Sequence, residues 1–219
     1  MKIWYQSTLD FAQHPNYAKA LAAHFQKIAR SETAVLLHGR VGDHRNHLPA
    51  SEIIGSPSSI RALSIRPLFE LYWRQRRRTQ TPFFAASFSE PILPGLRGLA
   101  KILVVSMSEA CFVAATTSAP KVGFVTLNKH IIHYIEKSIS LHKRKDRVSG
   151  IHLINGDTSE TELDAKLSEP GPFLERLAAR VRDAVSSGAQ SVIVAEGVLG
   201  MMAAENRCAN VCSDKYSYG

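Results

Sequence analysis

Short apolar runs alternate along this chain with longer stretches whose apolar residues recur every three or four positions. The runs fall at Lys2–Ser7, Ala34–His38, Pro82–Ser87, Ile102–Val105, Lys121–Thr126, Gly150–Ile154 and Ser191–Ala195. Most are continuous rather than alternating, as expected of strands covered on both faces. The spacing between them predicts helices over Tyr17–Ala29, Leu63–Arg78, Ile131–Leu141 and Phe173–Val185. The last has Pro172 near its start, where proline is tolerated. Strand and helix alternating in this way indicate an α/β protein built on parallel sheet. Pro91–Gly98 is rich in proline and glycine and marks the expected domain change. It gives an N-terminal half over 1–98 and a second half over 99–206. The final stretch, 207–219, is polar and aperiodic and reads as a frayed tail.

Composition narrows the class. A chain of 219 residues suffices for one large domain or two small ones. With 45% hydrophobic and 21% charged residues, disorder is not the default. No apolar run reaches the roughly 18 residues of a membrane span, and Met1–Ser7 has no apolar signal-peptide core. The expectation is a cytoplasmic protein with no membrane partner. Three cysteines, an odd number, do not make a disulfide framework. Cys111, in an apolar helical stretch, reads as a small buried hydrophobe. Cys208 and Cys212 lack further ligands for zinc, and His130 and His133 lack a third, so no metal is expected. The net charge of +8 is concentrated in Arg74–Arg78 and His142–Arg147. No nucleic-acid-binding motif accompanies either run. Both read as solvated helix ends, which the macrodipole favours, and no nucleic-acid partner is expected.

There is no phosphate-binding glycine motif and no His-Glu-x-x-His. Gly39-Arg40-Val41-Gly42 is too short a glycine signal to mean more than a loop. The informative positions are the strand ends, since ligands of parallel sheets bind beyond the carboxyl ends of the strands. Those ends offer Gln6 and Ser7, then Ser87, Phe88, Ser89 and Glu90, then Thr126 and Asn128, then Glu196 and Gly197. Ser7 and Asn128 taken singly read as helix N-caps. The set together reads as one rim of hydroxyl, amide and carboxylate groups suited to a small anionic substrate.

Five segments carry a family resemblance, in order, across about residues 1–206. They are Ile3-Trp4-Tyr5-Gln6-Ser7, Ala86-Ser87-Phe88-Ser89-Glu90-Pro91, Val105-Ser106-Met107-Ser108-Glu109-Ala110, Gly123-Phe124-Val125-Thr126, and Ser187-Gly188-Ala189 with Val192–Gly197. The chain resembles the aspartate/glutamate/hydantoin racemase family. The resemblance implies two flavodoxin-like parallel-sheet halves facing a central cleft, and no cofactor. It also implies a substrate that is a small carboxylate or cyclic ureide, and leaves room for a homo-oligomer. Family members place one cysteine from each half on either side of the substrate Cα. One thiolate removes the proton and the other thiol returns one.

Here Ser87 stands in the first cysteine position and Glu196 in the second. A serine hydroxyl is a poor acid or base unless activated, whereas a carboxylate becomes a useful base when burial raises its pKa. The symmetric two-thiol reaction is therefore excluded. Three outcomes remain open. Glu196 acts as sole base in a racemisation or isomerisation; or the site runs a related decarboxylation, lyase or hydrolysis reaction; or the chain binds a ligand without turning it over. Glu196 is the candidate base and Ser87 a hydrogen-bond donor. Gln6, Ser7, Ser89, Thr126 and Asn128 are candidates for polar recognition. Backbone amides beside Phe88 and at Gly197 and Val198 are candidates to stabilise an enolate.

Overall fold

In the computed structural model, residues 1–40, 81–88, 93–154, 158 and 160–206 are described. They form two parallel sheets. The first has the order β2-β1-β3-β4, with β1 Lys2–Ser7, β2 Ala34–His38, β3 Phe83–Ala86 and β4 Val104–Ser106. The second has the order β6-β5-β7, with β5 Val122–Thr126, β6 Val148–Leu153 and β7 Ser191–Val194. All strand pairs in both sheets are parallel. Helix α1 (Pro15–Ile28) follows β1, and α2 (Leu93–Leu99) precedes β4. The later helices are α3 (Met107–Ser118), α4 (Lys129–Leu141), α5 (Glu160–Ala165), α6 (Gly171–Ser186) and α7 (Gly197–Glu205). No helix among the described residues is long and apolar enough to cross a membrane.

The central strand β5 explains the continuous apolar pattern, since all five of its residues are buried. Helix α6 lies close on it, with a Cβ at Gly123 falling 3.0 Å from the Ala189 Cβ and 3.1 Å from that of Ala184. At the end of α6 the chain reverses through Gly188, whose φ of 94° suits glycine alone.

The expected linker Pro91–Gly98 contains a helix: 93–99 form α2, because Leu93 and Leu96 sit three apart and bury together against Phe83 and Val104. Its Pro94 falls in the first turn, where a missing N–H costs nothing. The strand expected near Ile102–Val105 then pairs with β3, so the first sheet runs to Ser106, past the 98/99 boundary. Helix α3 carries the chain across, touching β3 and β4 of one sheet and β7 of the other. The helix expected over Leu63–Arg78, the Arg74–Arg78 run, Val41–Gly42 and the 207–219 tail with Cys208 and Cys212 lie outside the described residues.

The second basic run is only partly a solvated helix end. Lys143 and Lys145 are exposed. The Arg147 guanidinium instead turns inward and donates to the carbonyls of Thr116, Ala119 and Pro120 at 2.8, 2.9 and 2.6 Å. It closes the C-terminus of α3, where a cation meets the negative end of the helix. The largest core cluster joins Tyr5, Leu9, Tyr17 and Leu21 of the first half to Val125, Leu163, Leu177 and Leu199 of the second.

Candidate functional site

The carboxyl ends of both sheets open on a single cavity of about 70 Å³. From the first sheet it is lined by Ser7, Thr8 and Leu9 after β1, and by Ala86, Ser87 and Phe88 after β3. From the second it is lined by Asn128 after β5 and by Ala195, Glu196, Gly197 and Val198 after β7. Tyr17, Met107, Ile131 and Leu163, from four different helices, complete the wall. Ser87 and Glu196, far apart in the chain, thus meet the same space from opposite halves. The enclosed volume is under half of the roughly 150 Å³ that holds a benzene ring in an engineered apolar cavity.

Glu196 is placed by three constraints. The Ala195 N–H continues the ladder onto the Val125 carbonyl at 2.8 Å, which brings β7 alongside β5 up to the last residue. Glu196 then occupies the N-cap position of α7 with extended backbone, yet its side chain makes no cap bond. The carboxylate instead accepts a hydrogen bond from the Thr126 hydroxyl at 3.2 Å. That hydroxyl accepts the Asn128 N–H at 3.1 Å, and Glu196 is the nearer of its two acceptors, the Asn128 carbonyl lying at 3.5 Å. Thr126 is fully buried and lies behind Glu196 rather than on the cavity wall.

The other expected residues divide by what their polar atoms already do. The Ser7 hydroxyl accepts the Leu9 N–H at 3.0 Å and keeps its own proton to donate. The Asn128 carbonyl oxygen accepts the His130 N–H at 2.9 Å, so Asn128 is a helix cap and a cavity residue at once. Gln6 is not on the wall. Its amide donates to the carbonyls of Ser7, His38 and Gly39 at 3.0, 3.4 and 3.2 Å, and its oxygen accepts the Trp4 indole N–H at 3.1 Å. It pins the ends of β1 and β2, and its amide protons are engaged there. Phe88 reaches the wall but is buried in a cluster with Phe112, Phe124 and Ile131. Ser89 and Glu90 lie outside the described residues. Cys111 is half-buried, and burial pushes its thiol above the ordinary cysteine range, away from nucleophile behaviour. His130 and His133 are exposed on α4. No cluster of metal-ligating side chains exists among the described residues.

Sequence reasoning did not single out Tyr17 or Asp164. Tyr17 is 3% exposed and its hydroxyl lies where Gly197 begins α7: a Cβ on that glycine would stand 3.0 Å from it. Asp164, 4% exposed on α5, accepts the Tyr17 N–H at 2.7 Å and the Asn16 N–H at 3.4 Å. It caps α1 from the opposite half, because His14 at the N-cap position makes no side-chain cap bond. The only trace in the sequence was a tyrosine at the start of the apolar face that Leu21 and Phe25 continue.

Three helices of eight residues or more begin around the cavity: α3 at Met107, α4 beside Asn128, and α7 at Gly197. Their positive ends make the space favourable to an anion or to developing negative charge.

No family model matches the sequence, and no curated protein sequence does. Solved structures share its fold. An allantoin racemase from Klebsiella pneumoniae is similar with a TM-score of 0.74 at 17% identity, over 94% of this chain and 80% of that one. An allantoin racemase from Pseudomonas fluorescens gives 0.71 at 15% identity, over 95% and 82%. An aspartate racemase homologue from Pyrococcus horikoshii OT3 gives 0.56 at 13% identity, over 92% and 87%. The chain has the two-sheet fold of these proteins, as its ordered motifs imply.

Proposed function

We propose that this protein is a proton-transfer enzyme acting at the Cα of a small amino acid or hydantoin-type ureide, with Glu196 as its single base. The observation that carries the reading is the meeting of Glu196 and Ser87, from opposite sheets, on one small cavity. These are the two positions at which the family resemblance places its thiols. The Glu196 carboxylate takes the Cα hydrogen, and the C–H electron pair passes into the neighbouring carbonyl to give an enolate. The amide groups that open α7 at Gly197 and Val198 face the developing charge, where fixed dipoles lower the barrier most. Thr126 holds the carboxylate in place during the transfer.

One base gives a different outcome from two thiols. The Ser87 hydroxyl donates a hydrogen bond but returns a proton far too slowly, since it is a very weak acid. The proton comes back either from Glu196 on the same face or from water on the other. Same-face return incorporates solvent hydrogen without inversion, so exchange should outpace racemisation. No cofactor is needed for either path.

The test uses the separate enantiomers of allantoin, aspartate and glutamate in D₂O. Proton NMR follows loss of the Cα hydrogen, and chiral chromatography follows inversion. Exchange faster than inversion, abolished in Glu196→Gln, supports the reading. Thermal stabilisation by one of these compounds with no exchange refutes it and makes the protein a binder.

A further inference from the structure

Of the polar side chains on the cavity wall that the reaction above does not use, Tyr17 is the one set against the start of α7 beside Glu196. The Tyr17 ring comes in on α1 from the first half, is almost wholly buried, and lines the same wall as Glu196. Its hydroxyl sits against Gly197, the residue whose amide opens α7. Behind it, the equally buried Tyr5 hydroxyl lies 3.4 Å away. Each phenol has one proton and can both donate and accept. If Tyr5 donates to the Tyr17 oxygen, the Tyr17 proton is left to point into the cavity. Burial holds both phenols above the ordinary tyrosine range, so at neutral pH they donate hydrogen bonds and do not act as bases. Two backbone features hold this arrangement. The Tyr17 N–H is fixed by Asp164 at 2.7 Å, and glycine at position 197 leaves room for the phenol oxygen.

We propose that the Tyr17 hydroxyl, supported by Tyr5, receives the substrate oxygen adjacent to the carbon that loses its proton. The site therefore takes carbon acids whose acidic C–H neighbours a carbonyl or carboxylate. The inference rests on the reading of Glu196 as base and supplies its electrophilic counterpart. As Glu196 takes the hydrogen, the C–H electron pair becomes the C=C bond of the enolate and the carbonyl π pair moves to oxygen. Tyr17 donates a hydrogen bond to that oxygen together with the Gly197 amide and keeps its own proton. The charge collapses back as the carbon is reprotonated. Tyr17 touches the substrate; Tyr5 is a positioning residue acting through it.

Two measurements test this, one of which does not depend on turnover. Near-ultraviolet difference absorption is recorded for the wild type and for Glu196→Gln with saturating allantoin, L-aspartate and L-glutamate. At least one probe should give a tyrosine difference band in both proteins, and the band should vanish in Tyr17→Phe. A band that persists in Tyr17→Phe, or no band with any of the three probes, overturns the proposal. In the D₂O assay, Tyr17→Phe should lower the exchange kcat about a hundredfold, the usual loss of one such donor, with KM changed less than threefold. Tyr5→Phe should lower kcat several-fold with KM unchanged. Gly197→Ala, which leaves the ring but displaces its hydroxyl, should fall between the two. Unfolding curves confirm that each variant is folded. Unchanged kcat in Tyr17→Phe overturns the proposal. Loss of exchange in Tyr17→Phe with full exchange in Glu196→Gln supports the tyrosine and removes Glu196 as the base, which separates the two claims.

Discussion

Asp164 ties α5 to the start of α1, and Asp164→Ala measures that tie. Its side chain accepts two amide protons at the start of α1, those of Tyr17 and Asn16, and its own carbonyl accepts the Asn16 side-chain amide at 3.2 Å. Alanine removes both carboxylate bonds and leaves the Tyr17 N–H buried without an acceptor. A lost helix cap costs about 0.5–2 kcal/mol, and a buried orphaned donor about 1–3 kcal/mol. These describe the same bonds and are not summed; about 2 kcal/mol is the working figure. For a chain of this length, that lowers the Tm by about 4–8 °C. Urea titration followed by far-ultraviolet circular dichroism gives the free energy, with the slope of the transition showing whether the unfolded state has changed. Asp164→Asn keeps a carbonyl oxygen for Tyr17 and should recover about half of the loss. A change below about 0.5 kcal/mol in Asp164→Ala would match an exposed surface substitution and would refute the cross-half cap.

Three further outcomes follow from the geometry. Thr126→Val preserves shape but removes the hydroxyl that holds Glu196; the exchange rate should fall about tenfold, equivalent to about 1.4 kcal/mol, with the fold intact by circular dichroism. Gly123→Ala forces a methyl between β5 and α6, within 3.1 Å of Ala184 and Ala189, and should cost about 1–3 kcal/mol of stability in urea. His38, stacked on Trp4 with ring centroids 3.5 Å apart, has its pKa lowered by burial. The unfolded chain therefore binds a proton at His38 that the folded chain does not, and stability falls as pH drops below the ordinary histidine range near 6.5. Paired urea titrations between pH 7.5 and 5 should show a smaller loss in His38→Gln.

The alternation of strand and helix was legible because the strands are short continuous apolar runs, wholly buried in β5 and partly so in the others. Lys2–Ser7 and Ala34–His38 were readable to the residue from those runs. Helix α2 was hidden by its composition: Pro94, Gly95 and Gly98 look like a linker, and only the burial of Leu93 and Leu96 outweighs them. Ser87 and Glu196 could be placed at one cavity because a strand end followed by a helix start is a local pattern. The Gln6 contacts could not, since nothing local distinguishes an amide facing a cavity from one holding neighbouring carbonyls. Tyr17 and Asp164 act across 147 positions of chain, and no local pattern encodes such a contact.

The convergence of three helix starts on one small space has a consequence for how such a site changes over generations. Its appetite for negative charge is written in main-chain amides, which every substitution except one to proline leaves in place. Side chains on the rim are then free to be exchanged, and with them the chemistry performed, without surrendering the class of molecule admitted. A new reaction can thus arise at such a rim and still begin from a bound ligand.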